Sequence, residues 1–247
     1  MSMISTPKKY FGKVSSTAWV NERDVVLGIV PTEPSFIDFE PGQFISLKVS
    51  DVNYRSYSIC SDNGNQKEMA IVVSCLHNGL GAAYVKGLQV GDGVEFIGPA
   101  GRFRLAPLLA PKLFFVCTGT GIAPVISMLF KLSKEKCASR IRLYFGIRSK
   151  RQMLFSDLLE SFKRELIDFN YKVCISGKEE VAAAGDYVYG RVTEHFAINT
   201  PALAQVYLCG HPEMVSEMLK KLSDMGISSD RIFHERFTVN SVGTVKL

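Results

Sequence analysis

Between Leu105 and Pro111 the hydrophobic pattern of this chain changes kind, and that change constrains the fold more than any other feature. Before it, short β-rich runs follow one another: Tyr10–Val20, Val25–Val30, Phe44–Val49, Arg55–Cys60, Ala70–Ser74 and Val94–Ile97. Turn residues separate them, as at Pro41-Gly42, Asp62-Asn63-Gly64, Gly91-Asp92-Gly93 and Gly98-Pro99-Ala100-Gly101. Short strands punctuated in this way predict an antiparallel barrel, closed or nearly closed. One short helix is expected near Gly81–Lys86.

After Pro111, strands and helices alternate. Strands are expected at Leu113–Cys117, Ile141–Phe145, Lys172–Ile175, Val206–Leu208 and Arg231–His234. Helices are expected at Ala123–Lys134, Gln152–Leu166, Arg191–Ala197 and Pro212–Met225. Such alternation implies βαβ units and a mainly parallel sheet. Two domains follow, residues 1–107 and 108–247. In the last helix Met214, Val215, Met218, Leu219, Leu222 and Met225 share one face, read as core. Pro212 suits a first helical position and Gly226 a C-terminal cap.

Charge and cysteine content narrow the function classes. The 29 basic and 24 acidic residues leave a net charge of +5, too small and scattered for nucleic acid. A mild basic excess fits an anionic cofactor or an acidic protein partner, and equally an ordinary solvated surface. None of the six cysteines stands in a C-x-x-C spacing, so no zinc or iron–sulfur site is expected. Met1–Tyr10 lacks an apolar signal core, and no run approaches the roughly 18 apolar residues of a membrane span. The expectation is a cytoplasmic protein with reduced thiols and no membrane contact. No heptad run appears, and a monomer is expected.

Three motifs carry the chemistry: Arg55-Ser56-Tyr57-Ser58, Gly119-Thr120-Gly121-Ile122-Ala123-Pro124 and Cys209-Gly210-His211-Pro212-Glu213-Met214. In this order and at these separations the chain resembles the ferredoxin–NADP reductase family, from about Tyr10 to Phe237. The resemblance implies an antiparallel Greek-key flavin-binding barrel followed by a parallel-sheet nucleotide-binding domain. It further implies electron transfer between NADPH and a small redox protein, ferredoxin or flavodoxin. The expected steps are hydride transfer to flavin N5 and one-electron transfers onward.

Strand alternation puts Arg55 and Tyr57 on one face and Ser56 and Ser58 on the other. By resemblance, Arg55 pairs with the flavin phosphate, Tyr57 packs on the ring and Ser58 hydrogen-bonds near N5. Gly81, Ala82 and Ala83 match the helix start beneath the diphosphate, where backbone N–H groups suffice for an anion. Ala82 stands where the family usually has a hydroxyl. FAD is the expected flavin, because residues 62–67 are long enough to reach an adenosine; FMN stays open. His77 and Asn78 read as the turn before this helix.

Thr118, Gly119, Thr120 and Gly121 lie between a buried strand and a helix, where glycines let the backbone approach a diphosphate. Pro124 occupies the third Gly position of a G-x-G-x-x-G fingerprint, and no Gly-Lys-Ser/Thr follows. Arg148 and Lys178, after the second and third strands, are candidate partners of a 2′-phosphate, and NADPH is favoured over NADH on electrostatic grounds. By resemblance, Cys209 lies beside the nicotinamide as a positioning group and Gly210 leaves room for the ring. Glu235 and Phe237 look like the family's Glu–aromatic pair, with Phe237 shielding the flavin. Residues 238–247 either cover the adenine side of the flavin or stay free of it. Lys48, Lys86, Arg102 and Arg104 are candidate docking cations. Other readings are an oxygenase reductase component, a reductase of free flavin, and a non-catalytic electron-relay subunit.

Overall fold

The computed structural model describes residues 6–76, 78–177 and 185–237. The first half forms β1 (Lys8–Trp19), β2 (Asp24–Glu33), β3 (Phe44–Lys48), β4 (Tyr54–Ser58), β5 (Met69–Ser74), α1 (Leu80–Gly87) and β6 (Gly93–Ala100). These strands make one antiparallel sheet in the order β4-β3-β6-β1-β2-β5. Its two edges approach each other through the Ile59–Ile71 bridge and the Cys60 N–H bond to the Ala70 carbonyl, 2.8 Å. The result is a nearly closed six-stranded barrel. Alternation fills it: Leu27, Ile29, Ile45, Leu47, Ile71 and Phe96 point inward and are fully buried.

The second half forms β7 (Lys112–Thr118), α2 (Ile122–Lys134), β8 (Arg140–Ile147), α3 (Ser156–Glu165), β9 (Phe169–Ile175), β10 (Tyr187–Tyr189), α4 (Val192–His195), β11 (Ala204–Gly210), α5 (Pro212–Asp224) and β12 (Ile232–Arg236). All six strands are parallel, in the order β10-β9-β8-β7-β11-β12. The central strands β7 and β11 are buried along nearly their whole length and mostly apolar, as strands covered on both faces must be.

The expected helix over Gln152–Leu166 is shorter. Lys150–Gln152 form a 3₁₀ turn, Phe155 adopts φ +58°, and the α-helix starts only at Ser156. A left-handed residue cannot continue a right-handed helix, so the apolar periodicity overran a real break. Strand β10 is an addition to the sequence reading. α5 agrees with it: Met214, Val215, Met218 and Leu222 are buried, Pro212 sits in the first turn and Gly226 has φ +74°.

The connecting segment is pinned rather than loose. Tyr207, fully buried on β11, accepts the Ala106 N–H at 3.1 Å and stacks between Phe115 and Phe233. Gln205 accepts the Ala110 N–H at 3.1 Å and donates to the Leu108 carbonyl at 2.9 Å. Ser127 on α2 donates to the Ser61 carbonyl at 2.8 Å. These bonds fix the barrel against the parallel sheet, and the cleft between them is thereby shaped.

Candidate functional site

The parallel sheet reverses its winding between β7 and β11: β8, β9 and β10 follow on one side, β11 and β12 on the other. In open α/β sheets ligands bind outside the carboxyl ends of the strands at such a point. Here those ends carry Thr118–Gly121 and Cys209–His211. The His211 N–H donates to Thr118 Oγ1 at 2.9 Å, which leaves the threonine proton free to donate. The two ends touch so closely that neither glycine has room for a side chain. A Cβ on Gly121 would lie 2.7 Å from the Cys209 carbonyl carbon and 2.8 Å from Gly210 Cα. A Cβ on Gly210, whose φ is +136°, would lie 2.9 Å from both Thr118 N and O.

A cleft of about 810 Å³ opens at this point and extends onto the barrel. Its barrel wall includes Arg55, Tyr57, Gly79, Leu80, Gly81 and Ala82. Its other wall includes Thr118, Gly119, Thr120, Arg148, Ser176 and Arg191, with Phe237 at the rim. Helix α1 starts at Gly79 with no capping side chain and no acidic residue in its first turn. Its free N–H groups and positive dipole end therefore suit a phosphate. Burial pushes the Tyr57 hydroxyl up to about 12, so this ring is a neutral, apolar wall at physiological pH. Thr193 also lines the cleft, and its buried hydroxyl has no partner among the described residues. Such a group costs about 1–3 kcal/mol until something satisfies it, as a polar ligand can. Two aromatic rings, fixed cations, an uncapped helix start and an unsatisfied hydroxyl together fit a flavin and a pyridine dinucleotide in one cleft.

The expected site residues divide into three groups. Arg55, Tyr57, Gly81, Ala82, Thr118, Gly119, Thr120, Arg148 and Phe237 converge on the cleft. Gly121 and Gly210 are buried at its floor, where their lack of Cβ permits the approach of the two loops. The others stand back. Ser56 points to the outer face of the sheet, its hydroxyl 3.2 Å from that of Ser46. Ser58 and Cys209 are buried and Ala83 is exposed; none of the three is on the cleft wall. Burial, then Glu235 and Cys117, raises the Cys209 thiol well above its ordinary range, so it is a neutral packing group. Lys178, His77 and residues 238–247 lie outside the described residues.

The structure also places the remaining residues that the sequence singled out. Residues 62–67 do not reach the cleft; Asp62 pairs instead with Lys134 on α2. Of the docking cations, Lys48 is paired with Glu95 at 3.3 Å and Arg104 with Glu40 at 2.9 Å. Lys86 and Arg102 are exposed. Sequence reasoning missed Arg23, Arg191 and Thr193, all on the cleft wall. Arg191 follows the end of β10, and the strand-end rule finds it once that strand is known.

Glu235 lies beside Cys209 in the register of β11 and β12. Burial raises its carboxyl to about 7 from an ordinary 4.5. Between those two values the folded chain keeps a proton that the unfolded chain has released. The contribution of Glu235 to stability therefore falls as pH rises from about 4.5 to about 7 and is level above that. A Glu235→Gln variant should lack this decline. Thermal midpoints of both proteins across that window check it; parallel curves would mean the carboxyl titrates normally.

Comparison with known proteins places these features. Residues 22–105 match the oxidoreductase FAD-binding domain, and residues 115–220 the oxidoreductase NAD-binding domain. The reductase component of Rhodococcus jostii propane 2-monooxygenase is 29% identical over 87% of this chain and 60% of its own length. The corresponding component from Mycolicibacterium goodii is 30% identical over 87% of this chain and 64% of its own. The chain thus spans less than two thirds of these relatives. Ferredoxin–NADP reductase B of Sorangium cellulosum is 28% identical over 81% of this chain and 85% of its own. Among solved structures, an Amycolatopsis cytochrome P450 reductase superposes with a TM-score of 0.84 at 24% identity, covering 94% of this chain and 70% of that one. A Neisseria gonorrhoeae ferredoxin NADP⁺ reductase with bound FAD and NADP gives 0.78 at 21% identity, over 93% and 98% of the two chains.

Proposed function

Because this chain belongs to the ferredoxin–NADP reductase family of FAD- and NAD-binding oxidoreductases, we propose that it takes electron pairs from NADPH and delivers single electrons to a small redox protein, ferredoxin or flavodoxin. The observation that carries the reading is the single cleft on which the barrel motif and the strand-end loops converge. A bound flavin supplies the conversion from paired to single electrons. The protein's part is binding and orientation.

In this reading Arg55 and the start of α1 hold the flavin phosphates, while Tyr57 and Phe237 present rings to the isoalloxazine. Thr118–Gly121 take the dinucleotide diphosphate, and Gly210 lets that loop close against the end of β11 rather than opening space for the nicotinamide itself. Cys209 and Ser58 act from behind the wall, fixing its shape. Arg148 and Arg191 favour a 2′-phosphate, and with it NADPH over NADH. Residues 1–107 and 108–247 are the two domains of this reading. A cytoplasmic monomer completes it, supported by six free cysteines. The similarity to monooxygenase reductase components supports a second reading, in which the electron acceptor is an oxygenase system.

An anaerobic titration of the purified protein with NADPH, then separately with NADH, tests the reading. Flavin absorbance at visible wavelengths should bleach with both and at lower concentration with NADPH. A protein that stays colourless after reconstitution with FAD or FMN, or whose flavin neither nucleotide bleaches, would overturn it. Ferredoxin, flavodoxin and an oxygenase component, offered in turn as oxidants, separate the two acceptors.

A further inference from the structure

We infer that Arg23, a barrel residue, holds the diphosphate of the incoming pyridine dinucleotide, so that both domains share the binding of the co-substrate. This rests on the reductase reading above. Arg23 lies in the turn between β1 and β2. Asn21 builds that turn: its Oδ1 accepts the N–H of Arg23 at 2.9 Å and of Asp24 at 2.8 Å. The Arg23 carbonyl accepts the Cys75 N–H at 2.6 Å, which ties the turn to the end of β5. The turn is therefore fixed before its side chain is considered.

The side chain is aimed as well. Arg23 Nε donates to Asp24 Oδ2 at 3.1 Å, and Asn21 Nδ2 donates to the same oxygen at 2.8 Å. Asp24 is fully buried, and its Oδ1 has no partner among the described residues. The pairing is thus single, not the two-pronged fork that arginine and carboxylate usually form. Among the described residues, neither terminal nitrogen of Arg23 donates a hydrogen bond to protein. The ion pair becomes a dipole whose negative end is buried and whose positive end lies on the cleft wall.

That positive end faces Gly119. A Cβ built on Gly119 would lie 3.7 Å from Arg23 Nη2, and apart from its own chain neighbours nothing else among the described residues comes within 4 Å. Gly119 has φ +54° and opens the turn that leads into α2. An open space beside a glycine turn, faced by an anchored guanidinium with free N–H groups, is the environment a diphosphate needs. The flavin also carries a diphosphate, so the test must separate the two sources.

Arg23→Gln alone would strand the buried Asp24 charge, which is costly. The double variant Arg23→Gln/Asp24→Asn keeps the turn neutral, and Arg23→Lys keeps a cation without the fork. Flavin content, KM and kcat with NADPH and NADH would be measured on the full chain with ferricyanide as acceptor. Inhibition by NADP⁺ and by adenosine 2′-monophosphate, which lacks a diphosphate, completes the set. The double variant should retain its flavin and raise KM for both nucleotides about tenfold, with kcat changed less than twofold. Arg23→Lys should fall between it and the wild type. NADP⁺ inhibition should weaken in parallel and adenosine 2′-monophosphate inhibition should not. KM within twofold of wild type overturns the inference. So does loss of flavin at unchanged KM, which would give the diphosphate to the flavin, or equal weakening of both inhibitors. Failure of the reductase reading is distinct: the wild-type flavin would then not be bleached by either nucleotide.

Discussion

A Gly121→Ala variant should lower kcat/KM for NADPH at least about tenfold while the barrel still holds flavin. Gly121 has φ −62° and ψ −9°, values any residue adopts, so backbone strain is not the cause. The obstacle is the neighbour. The added methyl would meet the Cys209 carbonyl group, and Gly210 Cα at 2.8 Å. These are backbone atoms at the end of a central strand, and they cannot swing aside as a side chain can. The end of β7 and the end of β11 must part, at an overpacking cost of about 1–3 kcal/mol. A displacement of about 1 Å in a positioning element can cost 100-fold in rate. Gly87→Ala is the control: it is exposed, and a Cβ there meets nothing within 4 Å. Stopped-flow reduction of the flavin, with a urea midpoint for each variant, checks the prediction. A folded Gly121→Ala protein with wild-type reduction rates would show that the strand ends need not touch.

Much of this architecture is legible in the sequence because its signals are local. β7 and β11 read as buried runs that lead into glycine, and the barrel strands read as alternating ones. The three motifs that converge on the cleft are far apart in the chain, and only the sheet order β8-β7-β11 brings the last two together. Residue patterns alone do not supply that order; the folded sheet does. What stayed hidden depends on tertiary pairing. β10 has three residues and no room for a periodic signal, so Arg191 after it went unnoticed. Phe155 takes a left-handed conformation that a phenylalanine does not advertise. Lys48 looks like a free surface cation until its partner, Glu95, arrives from β6. Arg23 sits in a polar turn whose composition would suit any hairpin, and only the fold reveals that it faces Gly119.

Arg55→Ala should weaken flavin binding roughly 10- to 100-fold, the equivalent of about 1.5–3 kcal/mol for hydrogen bonds made to a charged group. Arg55 lies opposite Leu47 in the β3–β4 pairing, on the face that also carries Tyr57. Its Nη1 donates to the Tyr54 carbonyl at 2.8 Å, which draws the guanidinium back along its own strand. The remaining N–H groups stay on the cleft wall beside the start of α1. Gly81 makes this possible, because a Cβ there would lie 3.3 Å from Arg55 Cγ and would collide with the Tyr57 hydroxyl. Arginine, phenol and helix start are packed as a unit, and removing the cation leaves the helix start to bind phosphate alone. Ala82 adds no hydroxyl to help it, so dependence on Arg55 should be stronger than where a threonine shares the load. Arg55→Lys should recover part of the affinity, since a point charge replaces the planar fork. Flavin fluorescence during titration of the apoprotein measures the dissociation constant directly. Once saturated with flavin, Arg55→Ala should reach its half-maximal rate at the wild-type NADPH concentration, because the strand-end loops proposed to bind the nucleotide are untouched. An unchanged flavin affinity would remove the cation from the flavin site and leave α1 as the sole phosphate-binding element.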